Sequence, residues 1–207
     1  TNRIVEIALV KSNGKEILEN WVQLINPEGP VGPTDVHGIS QDDVEDAPKF
    51  PEIAKEVLKR INGYALIAHN AKFDLAFLRR EFNRFGIDIT HLPSICTFEA
   101  SRYYLPNMNR RRLSDCCELV GIDIQNRHSA LGDAVATSQL FTYFMSDSKE
   151  PEPRLSDLRI LVNPGNLKVS EFKGTLSAPE QSSRQTNTRS IPVSKSRKNL
   201  TQKLLKL

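Results

Sequence analysis

Cysteine is scarce in this chain of 207 residues, which has only Cys96, Cys116 and Cys117. They make no Cys-x-x-Cys pair, and an odd count with two adjacent members gives no disulfide framework. A reduced, cytoplasmic setting is the simplest reading of such thiols. Long apolar runs are missing too: none approaches the ~20 residues that a membrane span needs. No signal segment is visible, but the chain opens at Thr1 inside strand-like sequence, which says nothing of what precedes it.

A large net charge is also lacking, at +3 overall. Dividing the chain changes that picture. Residues 1–145 hold 16 basic and 19 acidic side chains, residues 146–179 hold 5 of each, and residues 180–207 hold 7 basic against 1 acidic. The basic excess lies in the C-terminal stretch, and the globular part is mildly acidic. With 39% hydrophobic residues a packed core is feasible for most of the length. The expected organisation is a domain over residues 1–146 and a connecting segment over 147–179. A basic, disordered tail or linker follows over 180–207, rich in Ser, Thr, Gln, Arg and Lys. Leu200 to Leu207 carries a short amphipathic pattern that suits docking to a partner.

The present residues read as an α/β chain. Ile4 to Val10 is β-rich and nearly continuous in apolar character, as a strand covered on both faces would be. Asn13-Gly14 favours a two-residue hairpin turn with positive φ at both positions, and Ile17 to Ile25 should return antiparallel. Ser40 and Asp43 have the spacing of a helix capping box, and Pro51 suits the first turn of a helix ending at Ile61. Tyr64 to Ala68 reads as a short buried strand. From Ala71 to Phe85 the spacing is helical, with Leu75, Leu78, Phe82 and Phe85 on one stripe. A strand near Ile95 and Cys96, helices over 97–105 and 113–120, and a last helix over 130–145 complete the expectation.

Two segments put a carboxylate at the start of a helix: His69-Asn70-Ala71-Lys72-Phe73-Asp74 and His128-Ser129-Ala130-Leu131-Gly132-Asp133. Strand ends and helix starts are where α/β folds collect ligand-binding groups. Two carboxylates meeting there suit a hard divalent cation, and an imidazole can take a proton from water. Each feature has a bland alternative. An Asp in a first helical turn often only complements the macrodipole, worth ~0.3–1 kcal/mol. A lone His is more often a hydrogen-bonded structural group.

Taken together, Arg3-Ile4-Val5-Glu6-Ile7, Val36-His37-Gly38-Ile39 and the two segments above resemble, in order and spacing, the DEDDh 3′–5′ exonucleases. This is the group of the polymerase III epsilon subunit, ribonuclease T and oligoribonuclease, and the likeness covers about residues 3–145. It implies an RNase H-like mixed sheet flanked by helices, and hydrolysis with two divalent ions, Mg2+ or Mn2+. Asp74 and Asp133 would be two of four metal-binding carboxylates, and His128 the general base. His37 and Phe73 would lie against the terminal nucleotide, although core packing explains Phe73 equally well. The implied substrate is nucleic acid with a free 3′ end, DNA favoured over RNA, and the implied partner is a DNA polymerase subunit. The rival from another class is an inactive nucleic-acid-binding or polymerase-docking module.

The family's other two carboxylates lie in an Asp-x-Glu motif on the first strand, before the segment matched by Arg3 to Ile7. Here only Thr1 and Asn2 stand there, so the sheet is expected to lack its first, central strand and the chain by itself to be inactive. Losing about five buried side chains at ~1.5–3 kcal/mol each forfeits on the order of 10 kcal/mol, comparable to a whole domain's stability. Asp43-Val44-Glu45 repeats the motif in the wrong place, where helix-start acidity accounts for it. Glu6 occupies a strand position additional to the metal ligands. Arg110-Arg111-Arg112 is a candidate phosphate contact, with a solvated charge run as its plainer reading.

Overall fold

The computed structural model describes residues 3–90, 92–125 and 129–146. His128, the connecting segment over 147–179 and the tail over 180–207 lie outside the described residues. The elements in chain order are β1 (Glu6–Ser12), β2 (Ile17–Leu24), α1 (Thr34–His37), α2 (Gln41–Val44), α3 (Phe50–Ile61), β3 (Leu66–Ala68), α4 (Ala71–Asn83), β4 (Ser94–Cys96), α5 (Thr97–Tyr104), α6 (Leu113–Leu119) and α7 (Ala130–Ser146). β1 pairs antiparallel with β2, and β3 pairs parallel with β4. Among the described residues these form two separate two-stranded sheets.

The first hairpin forms as expected, but its turn does not. Ser12 pairs with Ile17, leaving four residues in the turn, and only Gly14 takes positive φ, at 84°. The Asn13 side chain is the reason. Its Oδ1 accepts from the backbone N–H of both Lys15 and Glu16, at 2.9 Å each, so Asn13 need not enter the left-handed region itself.

Alternation along the strands builds the layers. Ile7 and Leu9 of β1, with Leu66 and Ala68 of β3, pack into one core with α3 and α4. The intervening Ala8 and Val10 meet Ala130 and Ala134 of α7, while Ala65 and Ile67 join a second core with α5, α6 and α7. Both strands therefore lie in one layer, with helices on each face. In the first core Phe50 and Phe82 meet edge to face at 5.1 Å between centroids.

The α4 stripe is shorter than its periodicity suggests. Leu75, Leu78 and Phe82 are buried, but Phe85 is 37% exposed. The helix ends at Asn83, and tighter bonds from Phe85 N–H to the Phe82 carbonyl and from Gly86 N–H to Asn83 turn Phe85 off the face. Gly86 takes the left-handed φ of 70° that the reversal requires. Ser40 and Asp43 form the expected capping box, each bonding the other's backbone N–H. The Asp43 carboxylate is thereby committed to the start of α2, which leaves Asp43-Val44-Glu45 as helix-start acidity.

Candidate active site

Asp74 and Asp133 occupy the first turns of α4 and α7, and both are buried, at 3% and 4% exposure. α4 begins directly after β3. The connecting Asn70 adopts φ 77° and ψ 49°, a left-handed conformation that costs a non-glycine residue roughly 1–2 kcal/mol. Asn tolerates it better than most residues, and the turn it makes lets α4, with Asp74 in its first turn, start directly after β3. The nearby Phe73 is 42% exposed and touches Phe77, with ring centroids 5.0 Å apart. It is therefore an aromatic surface beside a buried carboxylate rather than a core residue.

His69 holds this corner. Its Nε2 lies 2.7 Å from the Arg111 carbonyl and its Nδ1 3.0 Å from Thr97 Oγ1. A carbonyl only accepts, so Nε2 carries the proton, and in the neutral ring Nδ1 accepts from the Thr97 hydroxyl. Both nitrogens are thus occupied by structure, linking the end of β3 to α5 and to the loop before α6.

The other half of the site is anchored by Glu6. Its Oε2 accepts from the backbone N–H of Ala130 at 3.0 Å, supplying one of the open donors at the α7 N-terminus. Ser129 Oγ accepts from Gly132 N–H at 2.9 Å and completes the cap. The strand that begins the sheet thereby fixes the helix that presents Asp133. His37 belongs to the same neighbourhood, because Val31 and Ile39, on either side of it, pack on Val5 just before β1. Its ring is buried, with Nε2 at 3.1 Å from the Val31 carbonyl and Nδ1 accepting from Ile39 N–H at 3.1 Å. Both ring nitrogens are thus taken by backbone partners.

Asp74 and Phe73 thus lie at the start of α4 just beyond β3, and Asp133 at the start of α7, which Glu6 of β1 caps. Buried oxygen donors at helix N-termini have the right chemistry for a hard cation. The described residues supply two such carboxylates, and no trio of His, Cys, Asp or Glu among them is close enough to hold a metal ion. Arg111 belongs elsewhere. Its guanidinium donates to the carbonyls of Ser101 at 2.7 Å, Leu105 at 2.8 Å and Pro106 at 3.2 Å, closing the end of α5. This side chain is neither a solvated charge nor a free phosphate ligand.

The roles of Glu6, Arg111 and the Asn70 turn were not read from the sequence. The only trace of the turn was Asn70 standing between a strand and a helix. Glu6 and Arg111 left no local signal.

Comparison with known proteins fits this geometry. A family model described as Exonuclease, of the RNase T type, matches residues 1–141. The chain is 33% identical over 146 residues to the DNA polymerase III PolC-type of Bacillus cereus, covering 70% of this chain and 10% of that protein. It is 34% identical over 139 residues to the same polymerase type from Oceanobacillus iheyensis, covering 66% and 10%. The chain thus spans about a tenth of the length of these curated relatives. Among solved structures, Exonuclease X in complex with 5′ overhanging duplex DNA aligns at 25% identity and TM-score 0.57, covering 76% of this chain and 91% of that one. A full-length 3′-exonuclease aligns at 21% identity and TM-score 0.61, covering 72% and 55%. The fold they share with this chain is RNase H-like.

Proposed function

The chain belongs to the RNase T exonuclease family, and we propose that it is the nuclease part of a 3′–5′ exonuclease acting on DNA, in the context of a DNA polymerase. The observation that carries this reading is the pair of buried carboxylates, Asp74 and Asp133, each in the first turn of a helix packed on the strand layer. The PolC-type relatives support DNA as the substrate and a polymerase as the partner.

Asp74 and Asp133 would hold divalent ions, Mg2+ or Mn2+. When bound, such ions supply Lewis-acid polarisation of the scissile phosphate. His128, next before Ser129 in the sequence, would accept the proton of the attacking water. Phe73 offers its exposed ring to the terminal base, a contact that tolerates any sequence. The face of His37 would close the other side of the nucleotide, its nitrogens holding the loop rigid. Burial of both carboxylates keeps bulk water from competing for the ions. The released product would be a nucleoside 5′-monophosphate.

The test is degradation of matched DNA and RNA oligonucleotides by the protein in its encoded length, with Mg2+, with Mn2+ and with chelator. Stepwise shortening of 5′-labelled DNA, blocked by a capped 3′ end, is expected. Equal or preferred cleavage of RNA would remove the DNA assignment, and cleavage of 3′-capped DNA would remove the exonuclease direction.

A further inference from the structure

The outer face of α4 carries a charge that the domain as a whole lacks. Lys72, Phe73, Ala76, Arg80, Asn83 and the C-cap Arg84 are the exposed residues of this stretch. At about 3.6 residues per turn they share one side of the helix, and the two acids of α4, Asp74 and Glu81, are buried on the other. The exposed side thus holds three cations and no carboxylate, whereas residues 1–145 together are net acidic.

The same side is organised along its length. The exposed ring of Phe73 touches Phe77, at 5.0 Å between centroids, and Arg80 lays its guanidinium over the Phe77 ring at 5.4 Å. Phe77 is 7% exposed, so it is a fixed platform between an open aromatic ring and a placed cation. A guanidinium stacked on a ring keeps its edge N–H groups free to grip an anion with two parallel bonds. No carboxylate among the described residues pairs with Arg80, and neighbouring Glu81 is taken by Arg3. Arg102 of α5 is the contrast. It also lies over a ring, that of Phe98 at 5.5 Å, but Glu99 pairs with it at 3.1 Å.

We propose that the outer face of α4 is the track on which the single-stranded 3′ segment of the substrate lies, with Arg80 holding a backbone phosphate upstream of the scissile one. The proposal rests on the nuclease reading, which sets the 3′ end at Asp74. Cations in a row with an exposed ring are the chemistry of single-strand binding, because an open aromatic face stacks only on a base released from its pair. Arg80 lies two turns, about 10 Å, along the helix from Phe73, so it serves a phosphate further up the strand and not the one being cut. Lys72 and Arg84 extend the positive side at either end, as flexible attraction rather than fixed contacts. A strand of several nucleotides is thereby held more tightly than a dinucleotide, whose one phosphate is the scissile one.

The experiment is binding of a labelled single-stranded oligothymidylate to the protein in its encoded length, in chelator so that nothing is cut, over a range of salt concentrations. Arg80→Gln is expected to weaken binding about fivefold and to lower the salt slope by about 0.7, the share of one phosphate on a single strand. Arg102→Gln, which removes an exposed but paired cation, should change neither. In a series of strands with one neutral methylphosphonate linkage moved stepwise from the 3′ end, Arg80→Gln should lose its effect at a single upstream position. An unchanged slope would overturn the proposal and leave this face to an acidic protein surface. So would an effect that disappears only when the scissile linkage is neutral, or an equal effect from Arg102→Gln. Cleavage plays no part in the readout, so the exonuclease reading fails on the degradation assay and this proposal on the slope.

Discussion

Arg3 and Glu81 stand 78 residues apart and meet in a two-pronged ion pair, Nε to Oε1 at 2.7 Å and Nη2 to Oε2 at 3.0 Å. Glu81 is 2% exposed, so this two-pronged contact is made away from water. The pair ties the segment entering β1 to the far end of α4, the helix whose first turn holds Asp74.

Removing one partner should therefore be severe. Arg3→Ala is expected to cost about 3–5 kcal/mol, because it leaves an uncompensated buried carboxylate. The double substitution Arg3→Met with Glu81→Leu should recover most of that loss. Urea unfolding of the three variants checks this, and a double variant no better than the single would show that the pair is not the source.

The carboxylates at the site should behave in the opposite way. Asp74→Asn and Asp133→Asn are expected to lower nuclease activity of the encoded-length protein by at least ~100-fold and to weaken Mg2+ or Mn2+ binding by more than ~10-fold. The unfolding midpoint should move little. Calorimetric titration with Mn2+ separates these outcomes, and unchanged metal affinity would remove both residues from the ligand set.

Arg111 should matter for stability and not for nucleic acid. Arg111→Ala opens three carbonyls at the end of α5, and a loss of about 1.5–3 kcal/mol is expected, as for hydrogen bonds to a charged group. The slope of DNA affinity against salt should stay unchanged. A shallower slope would make Arg111 a phosphate contact after all.

Cys116 supplies a pH signature. Burial pushes its thiol above the ordinary cysteine value, against the opposing pull of a Ser101 hydrogen bond and the Arg111 charge. A raised pKa in the folded state means that the protonated thiol contributes stability fully below the unfolded pKa. That contribution disappears as pH rises through the folded pKa. Stability should therefore fall as the pH rises past the ordinary cysteine pKa, and Cys116→Ala should flatten that decline after allowance for its lower baseline. In the folded protein, iodoacetamide should label half-buried Cys96 ahead of buried Cys116 and Cys117.

Much of the local structure around the candidate residues was legible because it is written in contiguous residues. His69 to Asp74 puts strand end, turn and carboxylate in one short run, and Ser129 to Asp133 does the same for α7. The Ser40–Asp43 box was legible for the same reason, since both partners lie within one helical turn. His128, the remaining member of the expected set, lies outside the described residues. What stayed hidden involves distant partners. Glu6 reads as a strand glutamate until α7 arrives 124 residues later to use its oxygen. Arg111 reads as one of three arginines until the α5 carbonyls close around it.

By itself the sequence determined the succession of elements, the positions of the two carboxylates at helix starts and the family likeness. Local periodicity, capping and turn chemistry act over a few residues and leave a readable pattern. Only the tertiary structure decided that Asn13 turns the hairpin through its side chain, that Phe85 leaves the α4 stripe and that His37 and His69 spend their nitrogens on backbone partners. It alone set β1 and β3 in one layer between the same helices. Each of these depends on which atoms meet across the fold, and a buried polar group takes whichever partner the packing brings.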